Sequence, residues 1–126
     1  EYIDFVNSVT SKSTKNQSDL LEALDIMEEQ GATPSRLLTT ALGLNGEAAE
    51  FSELIKKCIF QGREYTDEVH AELKSELSDI MWYIAQGCIA LDTTIEELME
   101  INTHKLQERY PDGFDKNRSN KRYMNE

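Results

Sequence analysis

An all-α fold, a four-helix-bundle-like core with an additional N-terminal helix, is predicted by three observations. Apolar residues recur at helical spacing along most of the 126 residues, few glycines (6) and prolines (2) interrupt them, and no run alternates with the period of a strand. The length suits a single domain over residues 1–126, with a polar basic tail from 116 to 126. The apolar share of 39% and charged share of 29% are those of a soluble globular chain, and no run is long enough to cross a bilayer. No apolar leader is visible, although the chain begins at Glu1 and its true N-terminus stays open. Cys58 and Cys88 stand alone in apolar helical surroundings, the pattern of buried reduced thiols in a cytoplasmic protein.

The elements follow in order. Tyr2, Phe5, Val6 and Val9 fall at i, i+3, i+4 and i+7, one face of a first helix. Residues 11–17 are polar and irregular, a loop. Ser18 can cap a short helix bearing Leu20, Leu21, Leu24 and Met27, which Gly31 ends. Thr33-Pro34 opens the next helix with Thr as N-cap and Pro at the first position. It carries Leu37, Leu38, Ala41, Leu42, Leu44, Ala48, Phe51 and Ile55 and stops near Gln61-Gly62. Gly43 and Gly46 inside it each cost about 1 kcal/mol relative to Ala, so close packing or a kink is expected there.

Thr66 caps a helix that starts with Asp67 and Glu68, acids that suit its dipole. Its apolar positions Val69, Leu73, Leu77, Ile80, Met81, Ile84 and Ile89 continue to about Leu91. Thr94-Ile95-Glu96-Glu97 fits a capping box that opens a last helix with Ile95, Leu98, Ile101 and Leu106 inward. After Tyr110, Pro111-Asp112-Gly113 reads as a turn. The helices from 34 and from 67 are the expected central antiparallel pair.

Function is most legible in two carboxylate pairs, Glu47-Ala48-Ala49-Glu50 and Glu76-Leu77-Ser78-Asp79. Members spaced i, i+3 share one helix face, and residues 51–75 are enough to end one helix, turn and run back. Glu72, Glu76, Asp79 and Tyr83 form one stripe; Gly43, Glu47, Glu50, Leu54 and Lys57 form another. Four converging acids repel one another and are costly to desolvate without a cation. Glu96, Glu97 and Glu100, by contrast, read as a solvated face.

An oxygen-only donor set favours a hard cation, magnesium with manganese as a substitute. A carboxylate di-iron bundle needs Glu-x-x-His pairs, and neither His70 nor His104 follows a glutamate by three. Magnesium commonly carries phosphates, which need cationic partners. Asn102, Lys105 and Arg109 share a face of the last helix, and Lys56 and Lys57 extend the first acid helix. Trp82 or Tyr83 offers a surface on which a base can stack. There is no glycine-rich phosphate loop. A net charge of −11 argues against nonspecific nucleic-acid binding. The four basic residues from Lys116 onward form either a solvated terminus or a basic flap over an anionic ligand.

With these residues in hand, the chain resembles the MazG-like all-α nucleoside triphosphate pyrophosphohydrolases. Gly43-Leu44-Asn45-Gly46-Glu47-Ala48-Ala49-Glu50 and Glu76 through Ile84 look like that family's E-x-x-E and E-x-x-D motifs. Asn102 through Phe114 resembles its closing N-x-x-K-L-x-x-R-Y-x-x-G-F segment, so the likeness covers roughly residues 35 to 115. The resemblance implies magnesium-dependent hydrolysis of a (deoxy)nucleoside triphosphate to monophosphate and pyrophosphate. It implies Glu47, Glu50, Glu76 and Asp79 as catalytic metal ligands, with Asn102, Lys105 and Arg109 toward the substrate; Lys57 and Trp82 join the substrate side on the residue pattern described above. Glu50 or Glu53 would take the proton of the attacking water. A homodimer or homotetramer is implied as well. Residues 12–32 carry no family motif, which leaves base and sugar preference open. The alternatives are a dUTP- or dCTP-directed enzyme, a phosphoribosyl-ATP pyrophosphatase, or a non-catalytic helical module that binds nucleotide or a basic partner.

Overall fold

The computed structural model describes residues 1–125, with side chains through Lys121; Glu126 and the Arg122 side chain, counted in the basic tail, lie outside the described residues. The all-α expectation is met. Seven helices are present and no strand occurs among the described residues, only an isolated bridge between Pro111 and Gly113. They fall into two compact units, Glu1–Leu91 and Asp92–Glu126.

The first unit contains α1 (Tyr2–Ser8), α2 (Lys12–Lys15), α3 (Gln17–Glu29), α4 (Pro34–Phe60) and α5 (Asp67–Ala90). The stretch expected as a loop folds into the single turn α2, because the Ser11 hydroxyl accepts the Thr14 N–H. The start of α3 falls at Gln17, with Asn16 rather than Ser18 as its N-cap. Gly31, at φ +95°, ends α3 by letting Ala32 N–H reach the Met27 carbonyl at 3.0 Å.

The helices α4 and α5 are the antiparallel pair. Thr33 Oγ1 donates to the Ala90 carbonyl at 3.1 Å, Arg36 Nη1 donates to Gln86 Oε1 at 2.9 Å, and the Tyr83 ring lies on Gly43. Numbers rise along one helix as they fall along the other, as antiparallel packing requires. Thr33 holds the N-cap position but spends its hydroxyl on Ala90 rather than on its own helix. Thr66 caps α5 as expected, accepting Val69 N–H.

The seam between them is narrow. Leu54, Val69 and Cys88 are buried, as is Pro34 at the start of α4, while Leu37, Leu44, Phe51, Leu73, Ile80 and Ile84 are half-buried. Several positions expected inward are exposed instead. Leu38, Leu42, Leu77, Met81 and Ile89 lie outside the α4–α5 seam, and the apolar face of α1 is open from Tyr2 to Val9. Each helix carries a wider apolar stripe than one neighbour covers.

In the second unit, α6 (Ile95–Arg109) is capped by Thr94, whose hydroxyl accepts Glu97 N–H at 3.1 Å. The Glu97 carboxylate takes the Thr93 hydroxyl at 2.6 Å instead of closing the box on Thr94. Ile101 and Leu106 of α6 are exposed rather than inward. A turn through Gly113, at φ +94°, leads to α7 (Lys116–Asn125). The polar tail is therefore helical, started by Asp115 Oδ1, which accepts Asn117 N–H at 2.8 Å and Arg118 N–H at 3.3 Å. Without apolar periodicity, only that cap marks the helix in the sequence.

Candidate active site

The centre of the α4–α5 seam is acidic. Glu47 and Glu50 lie one turn apart on α4, and Glu76 reaches them from α5. One carboxylate oxygen from each lies within 4.8 Å of the others. Glu47 Oε2 and Glu76 Oε2 are buried with no hydrogen-bond partner. Ionised, neither can donate to the other, so like charges face each other out of water. Glu76 is pushed up from 4.5 to about 7, first because its protonated form can hydrogen-bond to Glu47, then by burial, then by the charges of Glu50 and Glu47. A proton is one remedy for such a cluster; a divalent cation is the other, and two orphaned inward oxygens suit it.

Asp79 stands outside this cluster, exposed one turn along α5. It lines an open recess of about 300 Å³ together with Glu47, Trp82 and Tyr83. The Trp82 and Tyr83 rings meet edge to face at 5.0 Å, and the indole is 56% exposed. Gly43 makes this wall possible: a methyl group there would occupy the space of the Tyr83 ring. Close packing, one of the two reasons expected for an interior glycine, holds at Gly43; Gly46 faces open space.

Lys57 is half-buried in the last turn of α4 and forms no ion pair among the described residues. Glu53 pairs with Lys56 at 3.3 Å and stands apart from the three clustered carboxylates, of which Glu50 is one. Asn102, Lys105 and Arg109 lie on α6, in the second unit, with the Arg109 guanidinium 5.9 Å from the Tyr110 ring centre. Of the histidines, His70 Nδ1 meets the Tyr65 hydroxyl at 2.7 Å and His104 lies 3.6 Å from Glu108.

The MazG nucleotide pyrophosphohydrolase domain model matches residues 35–114, well over half of the chain. The chain belongs to the MazG family. The match begins at α4 and includes the acid seam and all of α6. Among curated proteins, the Gene 37 protein of Mycobacterium phage L5 is 39% identical over 70 residues. That alignment covers 54% of this chain and 60% of the phage protein, so the similarity spans only part of each. No solved structure matches significantly. The three-carboxylate cluster lies inside the segment that matches the MazG nucleotide pyrophosphohydrolase domain model.

Sequence reasoning named Tyr83 only as an alternative to Trp82 for stacking a base, and left Arg63 out of the site. Tyr83 was visible on the Glu76–Asp79 stripe, but nothing local to it discloses the glycine opposite. Arg63 gave no signal at all, since its partner Glu72 (3.1 Å) is met only after the chain has turned.

Proposed function

We propose that this protein hydrolyses a nucleoside triphosphate to the monophosphate and pyrophosphate in a magnesium-dependent reaction. The observation that carries the reading is the pair of buried, unpartnered oxygens of Glu47 and Glu76 beside Glu50, within the segment that matches the MazG family. Glu47, Glu50, Glu76 and, from the recess beside them, Asp79 are the residues to hold the cation, with manganese a chemically similar substitute. Bound there, the ion supplies positive charge to the phosphate oxygens and acidity to water.

The chain's own groups do the rest. Glu50 takes the proton of the water that attacks the α-phosphorus; the bond to the bridging oxygen breaks, and pyrophosphate leaves with those electrons. Trp82, half exposed beside Glu47 and Asp79, stacks the base. Lys57 balances phosphate charge from the last turn of α4; on α6, within the matched segment, Lys105 and Arg109 are further candidate cations and Asn102 a neutral hydrogen-bond donor for substrate. A surface acidic stripe for a basic partner is less well supported, because such a stripe would keep both oxygens of each carboxylate in water.

We read residues 1–126 as one functional domain of a homodimer or homotetramer, a reading the uncovered apolar positions of α4 and α5 support. The free Cys58 and Cys88 fit the cytoplasm. Among the described residues no helix is long and apolar enough to cross a membrane, and the net charge of −11 still disfavours nucleic acid.

The test is product analysis with each common ribo- and deoxynucleoside triphosphate, with and without magnesium. Monophosphate plus pyrophosphate, only with the cation, is expected; the panel also separates dUTP- or dCTP-directed enzymes and phosphoribosyl-ATP pyrophosphatases. Orthophosphate release, or no turnover in a sample that binds magnesium, would overturn the reaction.

A further inference from the structure

The acid seam has two unlike ends. Toward the C-terminus of α5 lies the aromatic recess with Asp79, Trp82 and Tyr83. Toward its N-terminus lies Glu72, one turn before Glu76 on the same face. A cation is already parked there. Gly62, at φ +70°, turns the chain after α4 so that Arg63 N–H reaches the Lys57 carbonyl at 3.0 Å. The Arg63 side chain then crosses to α5, where Nη2 donates to Glu72 Oε1 at 3.1 Å. Lys57, on the Glu47–Glu50–Leu54 stripe of α4, belongs to the same end. Carboxylates in the middle, an aromatic wall at one end and two cations at the other match the polarity of a nucleoside triphosphate.

We propose that Arg63, together with Lys57, forms the site for the terminal two phosphates, so that the substrate lies along the α4–α5 seam with its base at Trp82 and its pyrophosphate end at the α4–α5 turn. This rests on the activity proposed above. Glu72 is the holding partner: it keeps the guanidinium on the acidic face until a polyphosphate arrives. The Arg63 and Glu72 side chains are 36% and 47% exposed, so their pairing is weak and exchangeable. A phosphate group, with more charge and paired oxygens, suits the guanidinium fork better than one carboxylate.

Trp82, the chain's one tryptophan, stands beside the seam and serves as a fluorescent reporter. Pyrophosphate and a nucleoside monophosphate are titrated separately, with magnesium present, into wild type, Arg63→Ala, Arg63→Lys and Glu72→Gln. Thermal shift gives a second readout and circular dichroism checks the fold. Arg63→Ala is expected to weaken pyrophosphate binding about tenfold or more, the scale of a charged hydrogen bond, with monophosphate binding unchanged within about twofold. Arg63→Lys should fall between, and Glu72→Gln should bind pyrophosphate as well as wild type or better. Undiminished pyrophosphate binding by Arg63→Ala, or equal losses in Arg63→Ala and Glu72→Gln, would sink the proposal, the second by showing a merely structural strap. Failure of wild type to bind pyrophosphate would sink it as well. Arg63-dependent pyrophosphate binding without triphosphate hydrolysis would instead reject the proposed activity and leave this site standing.

Discussion

Glu76 is the residue on which the seam's electrostatics turn. Its folded carboxyl is pushed up from an ordinary 4.5 to about 7, chiefly because its protonated form can hydrogen-bond to Glu47. Between those values the folded chain holds a proton that the unfolded chain has released. Its contribution to apo stability is therefore complete below 4.5, falls as pH rises toward 7, and is flat above. Urea midpoints in the presence of a chelator, taken between about pH 5 and pH 8, should decline over that window. Glu76→Gln should flatten the decline, and a wild-type curve that rises instead would show that Glu76 is not crowded. The same proton competes with a cation, so apparent magnesium affinity, measured calorimetrically, should climb up to pH of about 7 and then level. Glu50→Gln should abolish turnover, keep the circular dichroism spectrum and raise the apo melting temperature by removing one of three facing charges. Near-normal turnover in that variant would remove Glu50 from the machinery.

Helix pairing is decided by a few small contacts. Gly43 and Gly46 are equivalent by composition and helical position, yet one lies under the Tyr83 ring and the other meets nothing within 4 Å. Gly46→Ala should stabilise the fold by about 0.5–1 kcal/mol, since a helix interior prefers a Cβ when there is room for one. Gly43→Ala should destabilise it by about 1–3 kcal/mol, because Tyr83 must leave its place. It should also quench or shift Trp82 emission, since the two rings are in contact. Chemical denaturation of the two variants side by side distinguishes these outcomes, and similar signs for both would contradict the packing. The caps behave more uniformly. Thr66 and Thr94 each accept the N–H three residues on, and replacing either with Ala should cost about 1 kcal/mol.

For the molecule as a whole, the feature to explain is how much apolar side chain remains in water. Along α4 and α5, Leu38, Leu42, Ile59, Leu77, Met81 and Ile89 are all more than one third exposed. In the homodimer or homotetramer proposed above, these side chains are what a second copy would cover. Light scattering should give a mass of at least two chains. Leu38→Glu with Leu42→Glu should shift it toward one chain and lower the melting temperature; a wild-type monomer at every concentration would exclude the reading.

How far the sequence reached varies with the kind of information required. Helical periodicity and the caps at Thr66 and Thr94 are local, so they placed α4, α5 and α6 and made the all-α class legible. The i, i+3 spacing also disclosed the acid pairs, because spacing along a helix fixes which side chains share a face. It did not reveal α7 or α2, which depend on single Asx and Ser caps without an apolar stripe to announce them. Nor did it show that Asp79 stands in the recess rather than among the three clustered carboxylates, that Tyr83 fills the space Gly43 leaves, or that Arg63 reaches Glu72. Those facts belong to pairs of residues far apart in the chain. A side chain's own neighbours set its helix face, but only the register of one helix against another sets what that face meets.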